Sequence, residues 1–315
     1  MPRRKVMDLN SVIKKYDLSA RAEGLSEKTV KHTNNSVSYF DRFLGGIDDV
    51  SKVTADDLRR FIVDLRGRRR WAGRYEAHEA QGKDKISGTS INTYARAIKA
   101  LWSWMEQQHV IKANPLAAVP APKLPKRLPK IIDEHDLKAI LQVDMSQRDK
   151  AILLLLLDSG IRLNELVNLT VDDLNSTYNG ITVTGKGDKQ RHVFVSSDTG
   201  DELSFYDIFH RPEPAVPTGR FFLTHDGYPL TPARVQKILE RLGEKAGIRQ
   251  RLSPHKLRHS YATLSLKHGA NLEILRRSLG HTDIKTTEVY LDLTDADVQA
   301  AHKQFSPVKN LRASK

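Results

Sequence analysis

Apolar residues recur with a helical period in three separate stretches of the first 110 positions. In SEKTVKHTNNSVSYFDRFL, Val30, Val37, Phe40 and Leu44 fall on one stripe behind a Ser26 cap, which predicts a helix. TADDLRRFIVDLRGRRR opens on Thr54 with acidic Asp57 three residues on, a variant of the capping box. In SGTSINTYARAIKALWSWMEQQHVI, Ile91, Ala95, Ile98, Trp102 and Met105 share one face. Asn92, Arg96, Lys99 and Ser103 line the opposite face, as a helix pressed against phosphates or a simply solvated one would. PLAAVPAPKLPKRLPK then interrupts the pattern: five prolines in positions 115–130 forbid a regular helix and predict a semi-extended linker.

The pattern changes beyond the prolines. A run apolar on every side, AILLLLL, predicts a buried helix from about Arg148 to Asp158 that stops at Gly160, with a second short helix inside RLNELVNLT. GITVTGKGDKQRHVFVS alternates as two strands around a turn in which Gly185 and Gly187 permit positive φ. GRFFLTHDGYPL reads as a further strand and turn, and helices resume after Thr231 and Pro232. In SPHKLRHSYATLSLKHG, Ser253 and Pro254 form a helix start and Gly269 a stop. Leu257, Tyr261 and Leu264 would face a core, while His255, Arg258 and His259 crowd a neighbouring face of its first turn. After position 290, LDLTDADVQAAHKQF predicts a short helix with Val298, Ala301 and Phe305 on one side. The expected fold is mainly α with a small antiparallel β-sheet in the second of two domains. The divisions are 1–114, the linker 115–130, 131–306 and a tail 307–315.

Charge adds a partner to this outline. The formal net charge is +13, and it is uneven: positions 1–130 hold 26 basic and 14 acidic residues, the remainder 25 and 24. Such asymmetry fits a basic clamp on a polyanion, most often nucleic acid, joined to a nearly neutral module. Within RGRRRWAGRYEAHEAQGKDK, Arg68, Arg69 and Arg70 stand beside Trp71 and Tyr75, which suits a groove-tracking segment or a solvated loop. Cysteine is absent, which removes disulfides, thiolate zinc sites and cysteine nucleophiles together. No apolar run follows the basic start, and AILLLLL is too short to span a bilayer, so a cytoplasmic protein without a membrane partner is expected.

Three places in the second half concentrate groups that a phosphodiester requires. Arg162 follows the glycine stop in DSGIRLNEL, Lys186 sits at the hairpin tip, and His255, Arg258, His281 and Tyr290 lie in the last hundred residues. Attack at phosphorus builds negative charge on two non-bridging oxygens, which two guanidiniums hold with forked hydrogen bonds that lysine cannot match. Arg162 and Arg258 fit that need. With no cysteine and no Gly-x-Ser-x-Gly motif, the Tyr290 phenol is the best nucleophile, its phenolate favoured by neighbouring guanidiniums. Lys186 would protonate the departing sugar oxygen, and His255 or His281 would relay protons or bind the phosphate. A phosphotyrosyl ester stores the energy of the broken bond, which agrees with the absence of an ATP-binding phosphate loop.

Taken in order, SGIRLNEL, TGKGDKQRHVFV, LSPHKLRHSYAT and LGHTDIKTTEVYL resemble the four signature regions of the tyrosine recombinase family, which includes lambda integrase, Xer and Cre. The resemblance implies that Arg162, Lys186, His255, Arg258 and His281 activate the phosphate and that Tyr290 attacks it, through a covalent 3′-phosphotyrosyl intermediate and without cofactor or metal. It further implies that Glu165 supports the site and that His259 is a buried partner bracing the fold. For the first half it implies a SAM-like helical core-binding domain, of four or five helices, completing a clamp around duplex DNA. The partners implied are double-stranded DNA with paired core sites and three further copies of the chain, a homotetramer in the synaptic complex from a monomer in solution. The basic segment 67–85 is longer than in Xer-like members, and the N-terminus is too short for an arm-binding domain. The biological setting would be integration and excision of a mobile element or Xer-type dimer resolution, on DNA of the nucleoid. Three rivals remain: a type IB topoisomerase, a DNA-binding protein without catalysis, and a zinc hydrolase ligated by His255, His259 and His281. The last has Lys256 where a metalloprotease places its glutamate.

Overall fold

A computed structural model of the chain describes residues 7–68, 85–123, 131–185, 188–281 and 287. The chain divides into two compact units, Met1–Lys126 and Arg127–Lys315. The first contains four α-helices among its described residues: α1 (Leu9–Ala22), α2 (Glu27–Leu44), α3 (Ala55–Gly67) and α4 (Gly88–Gln107). Each starts on a polar cap. Ser26 accepts from the Thr29 N–H, and Thr54 and Asp57 exchange side-chain-to-backbone bonds as a complete capping box. Helix α1 follows an Asp8 cap and buries Leu9, Val12, Tyr16 and Ala20, a helical spacing that the sequence reading passed over. Phe40 is the hub of this core, with its ring centroid 5.2 Å from that of Phe61 and 5.8 Å from that of Trp102.

Two expectations for this unit need correction. The proline-rich stretch does not begin as a strap between bodies: Leu116 and Val119 are buried in the first unit's core. The polar face of α4 explains why. Asn92 donates to Pro122 O at 2.8 Å, Lys99 to Ala117 O at 3.3 Å and to Val119 O at 2.5 Å, and Ser103 accepts from Asn114 Nδ2 at 3.0 Å. A segment kept out of regular helix by its prolines leaves backbone carbonyls without helical partners, and donors on the polar face of α4 meet three of them. Of the four side chains expected to meet either phosphates or solvent, Asn92, Lys99 and Ser103 are thus held within the unit, and Arg96 is exposed.

The second unit holds helices α5 (Glu134–Leu141), α6 (Gln147–Ser159), α7 (Leu163–Asn168), α8 (Ser197–Phe205), α9 (Pro232–Lys245), α10 (Pro254–Lys267) and α11 (Leu272–Leu279). Between α7 and α8, strands β1 (Gly180–Thr184) and β2 (Gln190–Phe194) form a two-stranded antiparallel sheet, with Ile181 opposite Val193 and Val183 opposite Arg191. Helix α6 is the centre of the core. Ala151, Ile152, Leu153, Leu155 and Leu156 are fully buried, as a helix apolar on all sides requires, and α10 packs against it. The stretch 219–230 is not a strand: it makes only isolated bridges, Thr170 to Arg220 and Leu223 to Pro229. The aromatic pair Phe221 and Phe222 is buried there by packing on Tyr206 rather than by strand pairing.

Candidate active site

Gly160 closes α6 in the left-handed conformation, φ +61°, and turns the chain so that Arg162 stands at the start of α7. Glu165, one turn further, is buried and ties that start together. Its Oε2 accepts from the Arg162 backbone N–H at 2.7 Å and its Oε1 from Arg162 Nη1 at 2.9 Å. A second guanidinium from β2 grips the same carboxylate: Arg191 Nη1 donates to Oε1 at 2.8 Å and Nη2 to Oε2 at 2.9 Å. Burial alone would push the Glu165 carboxyl up. The bonds from Arg191 and the Arg162 N–H outweigh it and hold the group below the usual glutamate range.

The last carbonyls of a helix have no partner within it and form the negative end of its dipole. At the end of α11, four consecutive carbonyls are each met by an arginine. Arg191 Nε donates to Ser278 O at 2.8 Å, Arg258 Nη2 to Leu279 O at 2.7 Å, Arg162 Nη2 to Gly280 O at 3.3 Å, and Arg276 Nη1 to His281 O at 2.6 Å. Arg258 Nη1 also reaches the end of α6, donating to Gly160 O at 2.5 Å. Gly280 itself has φ +64°, and an added Cβ would lie 3.0 Å from Arg191 Cδ, so glycine is required both for the turn and for the guanidinium stacked on it.

His281 completes the cluster. Its Nε2 lies 2.9 Å from Arg258 Nη2 and its Nδ1 2.9 Å from the hydroxyl of buried Thr287. Arginine only donates, so Nε2 accepts and Nδ1 carries the ring proton toward Thr287. Burial first, then the charges of Arg258, Arg162 and Arg191, push its pKa down to about 4, and the imidazole is neutral at pH 7. The first turn of α10 supplies the rest: Ser253 caps it, Pro254 starts it, His255 is exposed and Arg258 is buried. His259 is half-buried, and burial, followed by the charges of His255 and Arg258, lowers its pKa.

The structure therefore brings Arg162, Arg258, His281 and Glu165 into one bonded cluster, with His255 one turn from Arg258 on the same helix face. Lys186, Tyr290, Arg69, Arg70 and the helix expected over 291–305 lie outside the described residues. Arg68 is described and pairs with Asp64 at 2.5 Å, at the end of α3. Sequence reading missed Arg191 and Thr287. For Arg191 a signal existed: it sits two residues before Val193 on the inward face of an alternating strand, where a charge needs a partner. Among the described residues, the one grouping of three potential metal ligands is Asp133, His135 and Asp136 on the surface, and it includes none of the three histidines of the zinc reading. No helix among them is long and apolar enough to cross a membrane.

The architecture is that of the DNA strand-exchanging tyrosine recombinases. It matches XerH recombinase bound to palindromic difH substrate in a post-cleavage complex, with TM-score 0.70 and 22% identity over 96% of this chain and 84% of that one. It also matches the Tn1549 transposon integrase in complex with transposon right end DNA, with TM-score 0.72 and 18% identity over 95% of this chain and all of that one. In sequence, residues 130–297 match the phage integrase family. The chain is 30% identical to tyrosine recombinase XerD of Listeria monocytogenes serotype 4b (strain F2365), over 90% of this chain and 94% of that protein. It is 31% identical to XerD of Staphylococcus haemolyticus (strain JCSC1435), over 95% of this chain and 99% of that protein. The chain belongs to the phage integrase family. It is a Xer-type tyrosine recombinase, an enzyme of site-specific recombination that cleaves and rejoins DNA.

Proposed function

We propose that Tyr290 is the nucleophile of this reaction and that Arg162 and Arg258 hold the two non-bridging oxygens of the scissile phosphate. The Tyr290 oxygen attacks phosphorus, the bond from phosphorus to the 5′ oxygen breaks, and Lys186 protonates that oxygen as it leaves. The strand then ends in a 3′-phosphotyrosyl ester and a free 5′-hydroxyl. A 5′-hydroxyl from the partner duplex reverses the step and completes exchange with no net bond energy consumed. His255 and His281 bind the phosphate or relay protons. A phosphate arriving beside neutral His281 favours its protonated form, turning Nε2 from an acceptor for Arg258 into a donor for the substrate.

The observation that carries this reading is the convergence of Arg162, Arg258 and His281 on residues 279–281. Exchange between two duplexes cuts four strands and takes one tyrosine for each, so the working assembly is a homotetramer on paired core sites, built from monomers on DNA of the cytoplasmic nucleoid. Near full-length similarity to two XerD proteins supports the Xer-type reaction over the type IB topoisomerase and non-catalytic readings. The test is incubation with a library of nicked duplexes, followed by recovery of DNA that remains protein-linked in detergent. The unaltered protein forms that adduct, and Tyr290→Phe binds the same duplexes without forming it. Adduct formation by Tyr290→Phe would show that the nucleophile is elsewhere.

A further inference from the structure

The cluster contains a mostly buried arginine to which the signature motifs assign no role. Arg191 is only 14% exposed and uses all three guanidinium nitrogens at once: two on the Glu165 carboxylate and Nε on Ser278 O. Through Glu165 it touches the group that orients Arg162, and through Ser278 it touches the helix end whose next two carbonyls orient Arg258 and Arg162. It lies five positions after Lys186 in sequence, on the strand that returns from the hairpin.

We propose that Arg191 is a positioning residue for strand cleavage: it neutralises and fixes Glu165, so that Glu165 orients Arg162 without consuming the positive charge the phosphate needs. The inference rests on the functional reading above. Its logic is a charge count. Arg162, Arg191 and Arg258 oppose one carboxylate, which leaves two positive charges, matching the two negative charges that build on the non-bridging oxygens as phosphorus becomes five-coordinate. Without Arg191, Glu165 would draw on Arg162 alone, and one surplus charge would face the same transition state. The arrangement also explains arginine rather than lysine. A lysine keeps the charge, but a single ammonium does not span both carboxylate oxygens and a carbonyl in one plane.

The experiment measures single-turnover adduct formation on a nicked core-site duplex, equilibrium affinity for that duplex, and thermal melting, for Arg191→Gln, Arg191→Lys, Glu165→Gln and Arg191→Gln with Glu165→Gln. Arg191→Gln slows cleavage by about 100-fold and changes DNA affinity by less than about threefold, because the loss is felt mainly where charge develops. Arg191→Lys recovers part of the rate. The double variant, which restores the charge count, cleaves no more slowly than Arg191→Gln alone, a coupling that two independent structural losses would not produce. A folded Arg191→Gln protein that cleaves at the unaltered rate overturns the proposal, as does a double variant whose losses multiply. If Arg191→Gln does not fold, Arg191→Lys decides: a folded protein with reduced cleavage and unchanged affinity supports the role, and an unaltered rate refutes it. Failure of the unaltered protein to form any adduct would instead sink the functional reading.

Discussion

Alanine at position 160 would ask two separate concessions of the second unit. The backbone there has φ +61°, a region that costs a residue with a Cβ about 1–2 kcal/mol. The added methyl would also stand 2.3 Å from Tyr261 Cδ1, 3.0 Å from Cε1 and 3.1 Å from Leu279 Cδ2, so the ring must move. Such overpacking costs about 1–3 kcal/mol. Moving the ring breaks the 3.0 Å bond between the Tyr261 hydroxyl and Ser278 Oγ, worth about 1 kcal/mol. Together these give about 3–6 kcal/mol, a fall of roughly 6–24 °C in the melting temperature of a unit this size. Function should suffer as well, because Gly160 O is one of the anchors of Arg258. The assays are thermal melting by circular dichroism and adduct formation on a nicked duplex. Gly160→Ala combined with Tyr261→Leu should regain the steric part of the loss but not the backbone part. A Gly160→Ala protein melting within 2 °C of its parent, taken as roughly 1 kcal/mol or less, would refute both the backbone conformation and the Tyr261 contact.

Other expectations follow from the same contacts. His281 has a folded pKa of about 4 against an ordinary 6.5, so between those values the unfolded chain binds more protons. Its contribution to stability is complete above pH 6.5 and declines as pH falls toward 4; His281→Asn should flatten that part of a plot of urea midpoint against pH, and an unchanged slope would contradict the assignment. In the first unit, Thr54→Ala removes one half of the capping box of α3 and should cost about 1 kcal/mol in urea unfolding. A Thr54→Ala and Asp57→Ala cycle without coupling would show that the reciprocal bonds contribute nothing.

Much of this architecture is legible locally. Ser26, Thr54 with Asp57, and Ser253 with Pro254 each mark a helix start because the cap bond spans only three residues, and the hairpin of β1 and β2 announces itself by alternation around glycines. The arginines and histidine of the cluster were found from four short motifs whose order, rather than any single residue, carried the information. What escaped depends on partners far away in the chain. Arg191 meets Ser278 across 87 residues, and Lys99 meets the carbonyls of a segment that its prolines made look like a free linker. Phe221 and Phe222 read as a strand because buried aromatics are common in strands, but they are buried against Tyr206, Phe221 edge-on and Phe222 stacked. Thr287 had no pattern to betray it; only the position of the His281 ring gives it a role.

Arg162 and Arg191 are synthesised long before the carbonyls of residues 278–280 that aim them, and Arg258 must reach back to residue 160 and forward to 279. A nascent or truncated chain ending before residue 278 therefore carries these three arginines without the carbonyls that aim Arg162, Arg191 and one side of Arg258. The alignment of the cluster arrives only with the last stretch of polypeptide, so this part of the fold is completed late in synthesis.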